Sequence, residues 1–220
     1  PMGAPDNAGT LRPGAVVGEW RVEVFIGAGL TAEVYRVTNI RMRCEGALKL
    51  LIDESRGLKQ RFIDEADAMR CLALASLPRF LDSGEYGGSL YYVMEYLEPV
   101  EGFDNPRAVA KLMMKVALAV HSLHCAGYIH RDLKPGNIMR RRNGEVVIID
   151  LGLIKKCGVD EVGAIVHQNR ALSIVDGRPV GVGTLDYAAP EQLLKGECSI
   201  QSDIFALGKL LKFYCNGRVP

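Results

Sequence analysis

His130-Arg131-Asp132-Leu133-Lys134-Pro135-Gly136-Asn137, followed by Ile148-Ile149-Asp150-Leu151-Gly152, decides the fold of this 220-residue chain. Asp132, Asn137 and Asp150 can reach one point if the residues between the two segments form a tight hairpin. Asn143-Gly144 supplies the turn, because this pair favours a two-residue connection with positive φ at both positions. The strands are expected at 138–142 and 145–149. Folded this way, the segment offers one proton acceptor and two oxygen ligands for a hard cation, a set suited to phosphoryl transfer onto a hydroxyl.

The full octapeptide with its downstream Asp-Leu-Gly resembles the catalytic loop and metal-binding segment of the protein kinases, in particular the eukaryotic-like Ser/Thr protein kinases of bacteria. The resemblance implies that Asp132 orients the acceptor hydroxyl and takes its proton, and that Lys134 offsets charge growing on the transferred group. It also implies that Asn137 and Asp150 hold Mg²⁺, with Mn²⁺ as an alternative. Farther on, Gly183-Thr184-Leu185-Asp186-Tyr187-Ala188-Ala189-Pro190-Glu191 matches the end of an activation segment. A long irregular stretch such as the one before it is usually functional. Lys134 and Thr184 together imply serine or threonine, not tyrosine, as the acceptor.

Upstream, Trp20 to Ile26 reads as a strand, and Gly27-Ala28-Gly29-Leu30-Thr31-Ala32-Glu33-Val34-Tyr35 leads into a second one. A glycine turn between strands lets the backbone approach phosphate oxygens closely. A dinucleotide-binding reading fails on context, since that motif needs a helix directly after the glycines. The family's third glycine is Ala32 here, and Leu151 stands where the family commonly has Phe. In Gly46-Ala47-Leu48-Lys49-Leu50-Leu51 a lysine sits inside an apolar strand and needs an anionic partner. The helical spacing of 58–74 carries Glu65, which aligns with the family's pairing glutamate, while Asp64 and Asp67 are neighbouring alternatives. Pro78 is expected to break that helix. By resemblance, Ile26, Gly27, Gly29, Val34, Ala47, Lys49, Met94, Glu95, Leu97, Met139 and Asp150 contact ATP. In that set Met94 is the gatekeeper, and the backbones of Glu95 and Leu97 meet the adenine edge.

Residues 106–126 form the clearest helix, with Pro106 in its first turn, apolar residues at three- and four-residue steps, and Gly127 at the stop. His121 and His124 on it read as packed or surface residues and not as metal ligands, and His130 as structural. Arg140-Arg141-Arg142 reads as a solvated hairpin face. Asp203 aligns with the acidic residue that opens the family's helix F and steadies the catalytic loop from beneath. The family continues with further helices beyond this point, so the resemblance runs from about residue 18 to the end and covers part of the domain.

Twenty-seven basic and 26 acidic residues leave a net charge of +1, which gives no global field to attract nucleic acid or an anionic membrane. Six cysteines at 44, 71, 125, 157, 198 and 215 are scattered without C-x-x-C spacing, which points to a reducing, cytoplasmic compartment. No stretch is expected to reach the roughly 20 apolar residues of a membrane span. The expected architecture is α+β and bilobal. It has a flexible leader (1–18), a small lobe of antiparallel sheet with one helix (19–96), and a mostly helical large lobe without its last helices (97–220). The implied activity is a Ser/Thr protein kinase acting on protein substrates, with autophosphorylation compatible with it. A pseudokinase that binds without turnover, and a small-molecule phosphotransferase, are the rival readings. The first rival usually lacks the lysine or one aspartate, and none is lost here.

Overall fold

The computed structural model describes residues 9–29, 31–100, 103, 105–151, 154–156, 158–159, 165–166, 173–175, 178–180, 186–195 and 198–216. Thr184 and Gly152 fall outside them. The chain divides into two compact units: residues up to Arg70 together with Arg79–Leu97, and Cys71–Pro78 together with everything from Glu98 on.

The first unit is a six-stranded antiparallel sheet with one helix. Its strands are β1 (Val16–Val17), β2 (Trp20–Ala28), β3 (Ala32–Asn39), β4 (Glu45–Leu51), β5 (Phe80–Tyr86) and β6 (Ser89–Glu95), in the order β1-β2-β3-β4-β6-β5. The helix α1 spans Arg56–Leu72. β4 and β6 read as almost continuous apolar runs because the sheet is covered on both faces. On one face, Leu48, Leu50, Tyr91 and Val93 pack with Trp20, Tyr35 and Leu11. On the other, Phe62 of α1 lies 4.9 Å from the Tyr92 ring. The buried indole of Trp20 keeps a partner for its N–H, which donates to Asp82 Oδ2 at 2.9 Å.

Two expectations are corrected here. Part of the anticipated leader is packed: Leu11 and Val17 are buried, and β1 pairs with β2. The Pro and Gly residues there shape a turn, with Val22 donating to the Ala15 carbonyl and Gly14 to the Val22 carbonyl. The helix also ends at Leu72, well before Pro78, where Ala73 turns into the left-handed region at φ 44°.

The second unit is built on α2 (Pro106–Cys125). Asn105 caps it by accepting from the Ala108 N–H at 2.8 Å, and Gly127 ends it with φ 81°. After β7 (Glu98–Pro99) and α2 come β8 (Tyr128–Ile129), a 3₁₀ turn at Pro135–Asn137, β9 (Ile138–Arg140) and β10 (Val146–Ile148). Five short strands follow: β11 (Lys155–Lys156), β12 (Gly158–Val159), β13 (Ile165–Val166), β14 (Ser173–Val175) and β15 (Arg178–Val180). The helices α3 (Pro190–Lys195) and α4 (Ile200–Asn216) close the described chain. Val109, Leu112, Val116 and Val120 of α2 form one core with Leu133, Ile138, Ile148, Leu210 and Tyr214.

By length and composition alone α2 could cross a membrane, contrary to the expectation that no stretch would. Its buried stripe and its packing against α4, β8 and β10 account for that apolarity as a core helix.

Burial pushes the Tyr35 hydroxyl up to about 12, reinforced by its bond to Glu33, and burial beside Tyr187 does the same for Tyr214. A phenol whose folded pKa lies above the ordinary 10.0 contributes stability that is complete below pH 10.0 and is lost as pH rises through about 12. Alkaline unfolding is therefore expected within that window. Tyrosine absorbance and circular dichroism recorded together check it. Complete phenol titration below the onset of unfolding would be the contrary result.

Candidate active site

In the first unit, strand register groups the side chains expected to meet the nucleotide. β3, β4 and β6 align Val34 with Lys49 and Lys49 with Tyr92, and in the next row Arg36 with Ala47 and Ala47 with Met94. Side chains two residues apart share a face, so Val34, Ala47, Lys49 and Met94 lie together on the α1 side of the sheet. Val34 and Met94 remain half-buried, and Ala47 keeps the surface between them low. These three can form an apolar platform for a flat ring. Ile26 is exposed near the turn, where Gly29 donates to the Ala32 carbonyl at 2.9 Å.

Lys49 finds its anion in Glu65, with Nζ 2.7 Å from Oε2 and side chains only 17% and 5% exposed. Its ammonium also lies 5.8 Å from the Tyr92 ring centroid. Glu65 falls on the buried stripe of α1 with Phe62 and Met69, at spacings of three and four residues. Asp64 bonds Gln60 and Asp67 bonds Arg70 on the exposed surface, so neither alternative serves. The Glu95 N–H donates to the Arg79 carbonyl, and its carboxylate pairs with the Arg79 guanidinium at 3.2 Å. Glu95 is thereby tied through both backbone and side chain to Arg79. Leu97, at the end of this unit, is buried.

In the second unit the loop at 130–137 is held through many of its backbone groups. The buried Asp203 carboxylate accepts from the N–H of His130 and of Arg131, each at 2.9 Å. His124 Nε2 lies 2.7 Å from the same carboxylate. Gln192 donates to the Arg131 carbonyl at 2.7 Å. His130 Nδ1 accepts from the Asp132 N–H, which leaves Nε2–H to donate to the Ile149 carbonyl at 3.1 Å. Arg131 sits at φ 75° and Asp150 at φ 66°. A non-glycine residue persists there only where the surroundings over-determine it, and such residues cluster at functional sites.

Within this frame Lys134 Nζ lies 2.7 Å from Asp132 Oδ2. Asn137 Nδ2 donates to the Asp132 carbonyl at 2.8 Å and to Oδ2 at 3.2 Å. With its nitrogen facing Asp132, the Asn137 amide turns its oxygen the other way. Ile149 donates to the Asn137 carbonyl at 2.9 Å, and this bond brings Asp150 back beside the loop. A carboxylate and an amide oxygen suit Mg²⁺, which commonly takes one or two protein oxygens and completes its shell with water and phosphate. Met139 of β9 pairs with Pro99 of β7, and both line a groove of about 410 Å³ with Val100, Pro135, Gly136, Phe213 and Tyr214.

The hairpin differs in detail from expectation. Its strands are shorter, and Gly144 takes φ 80° while Asn143 does not adopt a positive φ. Gly144 donates to the Arg141 carbonyl and Arg141 to the Glu145 carbonyl, giving a three-residue loop with a left-handed glycine. Nor is the arginine run simply solvated. Arg141 donates to the carbonyls of Ala75 and Leu77 at 2.8 and 3.1 Å, while Arg140 and Arg142 lie 3.7 and 3.9 Å from Glu98. With Ile148 donating to the Ser76 carbonyl and Ser76 Oγ 2.6 Å from Ser122 Oγ, these bonds explain why 71–78 belongs to the second unit. Sequence reasoning missed the contact of His124 with Asp203 and that of Gln192 with the loop. No local pattern announces them, because their partners lie 79 and 61 residues away.

Residues 20–220 match the family model described as "Protein kinase domain". A probable serine/threonine-protein kinase of Corynebacterium efficiens is 29% identical over 93% of this chain and 32% of its own length. The serine/threonine-protein kinase PknL of Mycobacterium tuberculosis is 30% identical over 90% of this chain and 49% of its own. PrkC of Bacillus subtilis, also a serine/threonine-protein kinase, is 28% identical over 93% and 31%. The chain thus spans between about a third and a half of these relatives.

Proposed function

We propose that this chain, which belongs to the protein kinase domain family, transfers the γ-phosphoryl group of ATP to serine or threonine hydroxyls of protein substrates, its own included. The observation that carries this reading is the Asp132 carboxylate, presented on a loop pinned by Asp203 and contacted at Oδ2 by both Lys134 and Asn137. Asp132 orients the acceptor hydroxyl and takes its proton. Lys134 sits close enough to shift its charge toward the transferred group. Asn137 Oδ1 and the Asp150 carboxylate would hold Mg²⁺, which would neutralise phosphate charge. Lys49, fixed by Glu65, positions the phosphates, while Gly27 and Gly29 allow backbone to approach them. Catalysis of this kind is positioning and electrostatics. The scattered cysteines support action in the cytoplasm.

The test is incubation with labelled ATP, Mg²⁺ and a generic protein substrate, beside Lys49→Met. Wild type should incorporate label, and the variant should lose roughly 10²-fold or more in rate, as when one preorganised charge at a reacting group is removed. Circular dichroism should confirm that the variant folds, because Glu65 is left buried without its partner. Label incorporation no higher in wild type than in the variant would refute the proposal and favour a binding module without turnover.

A further inference from the structure

We infer that residues 9–11 form a strap that fixes the shape of the glycine hairpin through Tyr35 and Glu33, making Tyr35 a positioning residue for the nucleotide. The inference rests on the ATP reading above for its functional half only. Its structural half stands on three linked bonds. Leu11 donates its N–H to Tyr35 Oη at 2.9 Å, Thr10 donates to Glu33 Oε2 at 2.9 Å, and the Tyr35 hydroxyl donates to that same Glu33 oxygen. One carboxylate oxygen and one hydroxyl thus join segments 23 and 24 residues apart.

The contact is close as well as polar. A Cβ on Gly9 would lie 2.3 Å from Tyr35 Oη and 2.7 Å from the Phe25 ring, so glycine is what admits the backbone there. Phe25 meets Tyr35 edge-on at 5.4 Å, and Tyr35 and Leu11 are both buried.

The location of the links matters. Glu33 is the cross-strand partner of Ala28, and the next pair inward is Gly27 with Val34. The carboxylate therefore stands at the base of the turn whose backbone would cover the phosphates. β2 reaches that turn through register shifts between Val22 and Val24 and between Phe25 and Gly27. Such irregularities bend and twist a strand, so ladder pairing alone defines the hairpin's direction poorly. Burial of Leu11 would anchor the segment to the sheet without any polar link. The polar links go to the turn's base and hold it. Burial opposes ionisation of Glu33, but the Tyr35 hydroxyl and the Thr10 amide outweigh it and keep the carboxyl below its usual range. At neutral pH the links are charge-assisted and correspondingly strong.

Tyr35→Phe in the full chain keeps the ring and deletes the hydroxyl, and Glu33→Gln weakens the same junction from the other side. Amide hydrogen exchange at 26–29 and 31–34, measured without nucleotide, should quicken about five- to tenfold in both variants, the scale of one lost hydrogen bond. KM for ATP should rise by a similar factor, with kcat unchanged. Unaltered exchange at these amides would overturn the inference, and so would faster exchange spread evenly over the whole unit or an unchanged KM. If wild type shows no phosphoryl transfer, it is the ATP reading that fails. The exchange measurement needs no nucleotide and still decides the strap on its own.

Discussion

Replacing Asp132 by Asn should lower turnover by about 10²- to 10⁴-fold while leaving Mg-ATP affinity nearly unchanged, a barrier increase of about 3–5 kcal/mol. The side chain keeps its shape and its place between Lys134 and Asn137, and it loses the charge that accepts a proton. Asp150→Asn should behave differently. Asp150 is assigned to the metal, so its loss should weaken Mg²⁺-dependent nucleotide binding together with turnover. Calorimetry with ATP at several Mg²⁺ concentrations, alongside a phosphoryl-transfer assay, separates the two. Equal losses of nucleotide affinity in both variants would sink the assignment of roles.

Asp203→Ala should destabilise the second unit by about 3–5 kcal/mol, the range for removing one member of a buried charged network. The carboxylate is about 1% exposed and accepts from two backbone N–H groups of the loop, and His124 Nε2 lies against it. Alanine leaves those donors buried without an acceptor, each costing about 1–3 kcal/mol. Asp203→Asn should cost less, because one amide oxygen can still accept. The Arg70–Asp67 pair, with side chains 62% and 51% exposed, serves as a control, and breaking it should cost under about 1 kcal/mol. Urea unfolding of the three variants measures all of this. An Asp203→Ala effect no larger than the control would show that the loop is held by other means.

The two variants differ in how visible their residues were before the fold was known. Asp132, Asn137 and Asp150 fall within 19 residues of one another around a hairpin, so spacing pointed to their convergence, while Lys134 was indicated by the family resemblance. The turn was legible as a turn but not in its type, because strand register decides whether Asn143 or only Gly144 takes the left-handed conformation. Lys49 announced a missing anion by sitting in an apolar strand. Choosing Glu65 over Asp64 and Asp67 needed the angular position of the buried stripe, which Phe62 and Met69 mark once the sheet is in place.

What the sequence determined by itself was everything carried by contiguous residues: the catalytic loop, the apolar strands, the capped helix α2, and through them the family. The tertiary structure alone decided which distant groups finish the site. Gln192 holds the loop from 61 residues away, Arg141 reaches the carbonyls at 75 and 77, and Leu11 lies against Tyr35, whereas Asp203, 72 and 73 residues from the amides it accepts from, had been indicated by the family resemblance. Periodicity reports that a side chain is buried, because burial repeats with the turn of the helix or the pleat of the strand. It carries no information about which polar group arrives from another element to satisfy a buried donor, since that depends on how the whole chain closes.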